Sequence, residues 1–490
     1  MCTAFFMEKP LQNKLIADFA LRTSYDQIGA DNIEQLKRHL LDSMGSLLFA
    51  TRQPTIGKML RQLSMIGEGG NCRVPVLQRL PIDRAAQLFT ALIRYPDFMD
   101  NYMGKESTCH PSDNIGSLLA AAQYKGASGR DFLRGMAIAY QVQCRLVEEI
   151  PVMIEGIDHT LMLSYSAIAG IASMLELTEE QTAHALGMAG SSISPMATSR
   201  ASYTFEWKGF VSSFDAFNCL NIALLAKNGL TGPIALFEGP KGFKEIFNMK
   251  LEYDWTKENF ELIRKCVLKS YNAEVHSQST LEALLELRAQ ADFSLEHIER
   301  IDIRTFLTAY HIIGSGAYGN RKVVKTKEQA DHSLFYLAAV ALLDGKVYPE
   351  QFTPARIIRD DVQQLLQKVH VETILPLHKP TTLVGMLDPY TEAYPDKMKT
   401  KVDIKYTNGK TLSCRKEDYK GFYTRPLSWE NTVEKFNRLT DGVVSPAQQW
   451  KIIDTVHNID NLPVSALLDV ICIEKAPAEI PVNADSPVAP

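Results

Sequence analysis

No run of about 18 uncharged apolar residues occurs in the sequence, so a membrane-spanning helix is excluded. An excess of positive charge is also missing: 52 Lys and Arg stand against 57 Asp and Glu, a formal net charge of −5. A nucleic-acid binder normally presents a basic face, and short basic runs such as GNRKVVKTK read as solvated surface. No nucleic-acid or membrane partner is therefore expected. The eight cysteines (Cys2, Cys72, Cys109, Cys144, Cys219, Cys266, Cys414 and Cys472) include no CxxC pair. They read as the scattered thiols of a reducing compartment and give no support to a zinc ribbon or an Fe–S motif. HExxH spacing is absent as well, so neither a metal nor another cofactor is expected. The opening MCTAFFMEKPLQNKL has only a short apolar patch and no cleavage-site pattern, and reads as a mature cytosolic start.

What is present is ordinary globular composition: 490 residues, 46% hydrophobic and 22% charged. That length permits about two or three domains and a sizeable core. Residues 12–267 read as a helical domain. In NIEQLKRHLLDSMGSLLFA, Ile33, Leu36, Leu40, Met44 and Leu47 recur at helical spacing. The runs FLRGMAIAYQVQCRLVEEI and TLMLSYSAIAGIASMLEL are apolar or small nearly all round, as in helices buried against others. Between Ala137 and Leu177 they call for more cover than one helical layer gives, which points to a homodimer burying part of this region. Thr178 with Gln181 forms a capping-box signature, and Asn228-Gly229 ends a further helix.

After about residue 268 the pattern changes. HIERIDIRTF alternates like a strand, and TKVDIKYTNGKTLSCRKE reads as a hairpin turning at Asn408-Gly409. Two helical runs, STLEALLELRAQA and HSLFYLAAVALLDG, are interspersed with them. Residues 268–420 thus read as a smaller α+β domain, and 421–472 as helices returning to the first, one of them starting at Ser445-Pro446. The Pro-rich residues 473–490 read as a disordered tail. The fold class expected is mainly α with an inserted α+β domain, with a ligand cleft between the two.

One segment crowds ionisable groups between two core-forming helices: YPDFMDNYMGKESTCHPSDNIG, Tyr95–Gly116. Pro96, Gly104 and Pro111 break the helical pattern, so it reads as a loop with His110 just ahead of a new helix. Backbone N–H groups at that helix start would suit a carboxylate. The plainer alternative is a solvated loop whose Asp and Ser residues cap the helix. Asp113 reads as lying one turn into it, where its charge suits the dipole, and Asp113→Asn is then expected to cost stability, about 0.3–1 kcal/mol, and little turnover. Further candidates are Asp158 and His159 in GIDHTL, Arg200 and Lys208 in SRASYTFEWKGF, Lys269 and His276 in VLKSYNAEVHSQST, and Tyr318 in GSGAYGNRK. The last lacks the GK[ST] ending of a phosphate loop, so nucleotide binding there is rejected. Each could equally be a capping, core or surface residue. Together, histidines and lysines with Asp and Tyr suit proton transfer on a polyanionic substrate.

YPDFMDNYMGKESTCHPSDNIGSLLAAA resembles the signature of the MmgE/PrpD family, a hydrophobic-Asp-aromatic-x-Asp stretch followed by His-Pro-Ser-Asp-Asn. GIDHTL, LKSYNAEVHSQS and DHSLFYLAAVALLDG resemble family segments in the same order, so that the likeness runs from about residue 12 to 472. The resemblance implies a helical domain with an α+β lid, a homodimer and a metal-free site between the domains. It places the family's catalytic positions on Asp97, His110, His159, Lys208, Lys269 and His276, and substrate contacts on Asn101, Tyr102, Arg200 and Tyr318. Relatives commonly have Asp-Thr-Trp where this chain has Asp100-Asn101-Tyr102, and the dehydratases have Trp-Gly where it has Thr108-Cys109. The His-Pro-Ser-Asp-Asn ending favours the dehydratase branch. The activity implied is a cytoplasmic hydro-lyase acting on a tricarboxylic acid such as 2-methylcitrate. Lys208 and Lys269 would hold carboxylates, His110 and His159 would serve as base and acid in an order the sequence does not fix, and Asp97 would orient one imidazole. The alternatives are decarboxylation of cis-aconitate to itaconate, and a metabolite-binding protein without turnover.

Overall fold

The computed structural model describes residues 10–67, 69–104, 106–201, 203–249, 252–374 and 387–472. The expected disordered tail and the N-terminal start lie outside the described residues. The first half is helical: α1 (Gln12–Arg22), α2 (Ala30–Ala50), α3 (Pro54–Ile66), α4 (Ile82–Arg94), α5 (Asp113–Lys125), α6 (Gly129–Glu149), α7 (Thr160–Leu175), α8 (Glu179–Ser192) and α9 (Val211–Lys227). The apolar stripe of α2 is buried as its spacing requires. The Thr178 hydroxyl accepts from the Gln181 N–H at 3.2 Å while the Gln181 amide oxygen accepts from the Thr178 N–H at 2.9 Å, which starts α8. Two short ladders interrupt the helices, β1 (Cys72–Arg73) with β2 (Arg79–Leu80) and β3 (Tyr102–Met103) with β4 (Thr108–Cys109).

In the second half, β5 (Ile298–Thr305), β6 (Val369–Glu372), β7 (Thr400–Tyr406) and β8 (Thr411–Lys416) form a sheet in the order β6-β5-β7-β8. Only β5 and β6 run parallel; the other pairs are antiparallel. The β7–β8 turn carries Gly409 at φ 84°, a left-handed conformation in which a side chain would be strained. Helices Gln278–Arg288 and Leu334–Asp344 pack on this sheet and on each other. The short β6 gave no alternating pattern long enough to be read in the sequence.

Two hydrophobic cores result. One joins α1–α9 to helices Trp429–Thr440, Pro446–His457 and Val464–Ile471, through Phe436, Ile452, Val456 and Leu467. The other surrounds the sheet and runs from Val267 to Phe422, with Met103 reaching in from β3. The premise for a dimer through Ala137–Leu177 fails. α7 is buried on every side by α1, α5, α6, α8 and α9 of the same chain, so these helices need no second copy to cover them.

α4 and α5 cross closely because Gly116 has no side chain: a Cβ there would lie 2.2 Å from Thr90 Oγ1 and 2.4 Å from Thr90 N. These two helices carry the flanks of Tyr95–Gly116, so their separation sets the geometry of that segment. Gly116→Ala is expected to destabilise the protein by about 1–3 kcal/mol through overpacking, read from the denaturant midpoint. An unchanged midpoint would show that the helices part without cost.

Candidate active site between the helical body and the sheet

The segment Tyr95–Gly116 is not a solvated loop. Among its described residues only Glu106 is exposed, and Asp97, Asp100, His110 and Asp113 are all buried. The chain leaves α4 through Asp97 at φ 56°, a left-handed backbone that Asp tolerates better than most residues. That turn aims the Asp97 carboxylate at three cations. Arg94 NH1 and Lys269 Nζ each donate to Oδ1 at 2.9 Å, and Lys208 Nζ donates to Oδ2 at 2.9 Å. Lys269 also donates to the Asp97 carbonyl at 2.8 Å. Burial works against the Asp97 charge, yet Lys208, Lys269 and Arg94 outweigh it and hold the carboxyl well below its ordinary range.

Lys208 sits in a single helical turn, Glu206–Gly209, and reaches across to the second half of the chain. Its Nζ lies 3.5 Å from Asp331 Oδ1 and 3.1 Å from His332 Nδ1. Asp97, Asp331 and His332 come close enough together to share one cation, and the Lys208 ammonium stands among them as that cation. Burial lowers the Lys208 pKa, with Asp331 and Asp97 opposing. His332 Nδ1 also lies 2.7 Å from Asp331 Oδ1.

Next to this cluster lies a narrow cleft. The helical body contributes Arg94, Asp97, Asn101, Thr108, His110 and His159 to its walls, together with Met153 and Arg200. Lys269, Glu274, Val275, Ile312, Tyr318 and His332 close it from the other half. A second, larger hollow is lined by Tyr102, Glu148, Lys265 and Asp396 among others, with no histidine in its wall.

His110 is 7% exposed and its Nδ1 lies 2.9 Å from the Asp100 carbonyl oxygen. A carbonyl can only accept, so Nδ1 carries the proton and Nε2 keeps its lone pair. Burial, then Arg94, His159 and Lys269, pushes the imidazole well below its ordinary range, so it is neutral and able to accept a proton. The His159 ring stands edge-on to it, centroids 5.4 Å apart. Burial and then Arg200 push His159 down to about 3, and its buried Nδ1 has no hydrogen-bond partner among the described residues. Asp158 grips Arg200 with two hydrogen bonds, 2.6 Å from Nε to Oδ2 and 3.2 Å from NH2 to Oδ1, which fixes the guanidinium at the cleft wall.

The structure thus brings together Asp97, Asn101, His110, His159, Arg200, Lys269 and Tyr318, with Lys208 just behind them. It does not bring in Tyr102 or His276. Successive strand residues face opposite ways, so with Asn101 toward the cleft Tyr102 turns aside and donates to Glu148. His276 is turned away between Glu274, at 2.6 Å from Nδ1, and the Tyr394 hydroxyl, at 3.0 Å from Nε2. The expectation that Asp97 orients a catalytic imidazole also changes. Asp97 is taken up by Arg94 and the two lysines, and His110 is held by Asp100. Nor is the α5 start an open anion site: the Asp100 carboxylate already accepts from the Ser112 N–H at 3.0 Å. Pro111 precedes the cap residue Ser112 and so lies outside the first turn.

Sequence reasoning assigned no role to Arg94, Glu274, Asp331 or His332. An arginine ending the apolar run AAQLFTALIR is a signal for Arg94, and the Asp-His pair ahead of LFYLAAVALL is one for the other half. Three thiols far apart in sequence also converge beside His110: Cys144 and Cys266 lie 3.7 Å apart, and Cys109 reaches Cys144.

Two sequence profiles match this chain, the MmgE/PrpD N-terminal domain over residues 14–256 and the MmgE/PrpD C-terminal domain over residues 271–461. The chain belongs to the MmgE/PrpD family. It is 26% identical over 460 residues to a 2-methylcitrate dehydratase of Salmonella typhi, covering 89% of this chain and 92% of that one. A 2-methylcitrate dehydratase of Escherichia coli O157:H7 is 30% identical over 329 residues, 63% and 66% of the two chains. A cis-aconitate decarboxylase of Mus musculus is 24% identical over 472 residues, 89% and 88%. As in those relatives' names, this MmgE/PrpD protein is an enzyme. No helix among its described residues is long and apolar enough to cross a membrane.

Asp113 corrects a further expectation. It is the first residue of α5, fully buried, and neither carboxylate oxygen accepts a hydrogen bond among the described residues; Arg94 Nε stands 3.8 Å away. Burial pushes its pKa up from 3.8 to about 7. A raised value means the folded state holds the proton more tightly, so its contribution to stability is complete below about pH 4 and is lost as pH rises through about 7. Asn is always neutral. Asp113→Asn is therefore expected to gain stability on the native protein between about pH 5 and pH 8, measured as the difference in denaturant midpoint. A difference independent of pH, or one moving the other way, would show that Asp113 is ionised throughout.

Proposed function

We propose that the protein is a metal-independent, cytoplasmic hydro-lyase that dehydrates a tricarboxylic acid such as 2-methylcitrate to 2-methyl-cis-aconitate. The observation that carries this reading is a neutral His110, its Nδ1 proton fixed by a carbonyl, on the wall of a cleft lined by Arg94, Arg200 and Lys269, with Lys208 just behind them. Fixed cations bind carboxylates and stabilise the enolate-like charge that forms when a carbon next to a carboxylate loses its proton. His110 Nε2 takes that proton. The hydroxyl leaves as water with a proton from His159. A bound tricarboxylate brings negative charge beside that ring and raises its pKa from the low value of the empty cleft, which equips it to donate. The Lys208 ammonium occupies the place among Asp97, Asp331 and His332 where a metal would otherwise bridge, which supports metal independence.

A second reading, decarboxylation of cis-aconitate, draws support from the mouse relative, whose match spans as much of this chain as the bacterial one. It uses the same carboxylate clamp but only protonates the carbanion left by CO₂. Incubation with 2-methylcitrate, citrate and cis-aconitate separates the readings. The expected result is the ultraviolet absorbance of a conjugated acid from 2-methylcitrate, unchanged after dialysis against EDTA. Itaconate from cis-aconitate would replace the first reading with the second, no turnover of any of the three would remove both, and loss of rate that a metal restores would overturn metal independence. His110→Ala is expected to lower kcat at least about 10²-fold while the melting transition persists. Near-full turnover would reduce the site to structural packing.

The homodimer is proposed on a different face from the apolar helices. Tyr203, Phe205, Trp207 and Phe214 are 56%, 68%, 52% and 41% exposed, and the Trp207 and Phe214 rings pack 4.9 Å apart. Such grouped apolar exposure marks an association surface, and it lies on the stretch that delivers Lys208 to the cleft. A second copy over it would brace that stretch. Light scattering is expected to give twice the protomer mass for the native protein and the protomer mass for Trp207→Glu. A native monomer at micromolar concentration would refute the assembly.

A further inference from the structure

The cleft chemistry rests on His110 presenting Nε2 and not Nδ1, and the peptide that enforces this is itself held from behind. Asp100 touches the His110-Pro111-Ser112 segment twice. Its carbonyl oxygen accepts from His110 Nδ1 at 2.9 Å, and its carboxylate accepts from the Ser112 N–H at 3.0 Å. The carboxylate is 1% exposed as a residue and lies outside the cleft lining. Two further donors converge on Oδ2: His39 Nδ1 at 2.7 Å and the Tyr140 hydroxyl at 2.8 Å. Burial works against the Asp100 charge, but the His39 and Ser112 hydrogen bonds outweigh it and keep the carboxyl below its ordinary range.

The His39 tautomer is determined by the same accounting. Gln35 accepts from Arg38 through its amide oxygen and donates through Nε2 to the Cys266 carbonyl at 3.3 Å, so its orientation is fixed. That Nε2 lies 2.8 Å from His39 Nε2, which must therefore accept. The His39 proton is on Nδ1 and points at Asp100. The chain of donors runs one way, from Arg38 through Gln35 and His39 to Asp100, and ends behind the carbonyl that reads His110. The other side of that peptide is pinned by a bridge in which Asn101 N–H donates to Val267 O at 3.0 Å and Val267 N–H donates to Asn101 O at 2.8 Å.

We infer that Asp100, held by His39 and Tyr140, is a positioning residue that locks His110 in the Nδ1–H tautomer and so keeps Nε2 available to accept the substrate proton. This rests on the reading of His110 as the base. A carboxylate is needed because three donors meet on its two oxygens. In Asp100→Asn one oxygen becomes an NH₂ group that faces a donor, the Ser112 contact or the His39–Tyr140 contact is lost, and the peptide can turn.

The experiment has one arm that needs no substrate. Protein labelled with ¹⁵N-histidine gives ring-nitrogen signals, and the set missing from His110→Ala identifies His110. The native signal is expected to show Nδ1–H, and Asp100→Asn to show a mixture of tautomers. In turnover of 2-methylcitrate, Asp100→Asn is expected to lose about 10–100-fold in kcat with KM within about twofold. His39→Leu should behave likewise, and His39→Gln, whose amide can still donate to Oδ2, should recover most of the rate. If Asp100→Asn does not fold, the two His39 variants carry the same readouts. A native His110 protonated on Nε2, or a His39→Leu protein with native tautomer and native kcat, would overturn the inference. Full turnover in His110→Ala would instead remove the role of His110 as base, and the tautomer measurement would still stand on its own.

Discussion

Everything in the cleft depends on the Asp97 carboxylate. It is buried, and buried charge is costly unless opposed. Arg94 from the end of α4, Lys208 from the aromatic turn and Lys269 from the entry to the second half all converge on it. Arg94 is a near neighbour in the chain, whereas Lys208 and Lys269 arrive from 111 and 172 residues away. Removing one partner from a buried network of this kind costs about 3–5 kcal/mol, because the remaining charges stay unpaired. The network thus fixes where the two halves of the chain meet, and on the proposed function it does so with groups that a substrate carboxylate would also engage.

The same positive field decides the protonation of the histidines. His110 lies near Arg94 and Lys269, and His159 near Arg200, and in both rings burial and these cations disfavour the imidazolium. A cleft lined with cations is for that reason a cleft that keeps its imidazoles neutral. Binding an anion relaxes the effect, since each added negative charge offsets part of the field. On the proposed function the substrate itself therefore completes the acid–base pair. His110 has its proton placement fixed by a carbonyl and suits the base, whereas His159, whose Nδ1 has no hydrogen-bond partner among the described residues, is the ring more free to change its state.

Elements with strong local signals were legible in the sequence. The capping box at Thr178, the Asn408-Gly409 turn and the stripe of α2 each need only neighbouring residues to specify them, and each forms as read. β6 was not legible because its alternation, Val369-His370-Val371-Glu372, spans only four residues and its partner β5, which it meets in parallel, lies far away in sequence, so no hairpin turn marks it. The dimer argument failed for a related reason. An apolar helix shows in its sequence that it must be covered, but not what covers it, and α7 is covered by five helices of its own chain.

At the site, separation along the chain explains both what could be read and what could not. Asp97 and Lys208 are 111 residues apart, Asp97 and Lys269 are 172 apart, and Asp100 and His39 are 61 apart. Seen locally, Tyr95–Gly116 carries Asp97, Asp100, Glu106 and Asp113 against Lys105 and His110, which looks like solvated surface. Its balancing cations and donors arrive from α2, from the aromatic turn and from beyond residue 267, and only the folded chain shows that the segment is interior. The resemblance to known sequences supplied the residue identities without their pairings, so Asp97 was given an imidazole it does not hold. The acid that does hold His110 was three residues further on, acting through its backbone. A carbonyl leaves no trace in a sequence, and a role carried by the main chain becomes visible only once the geometry is known.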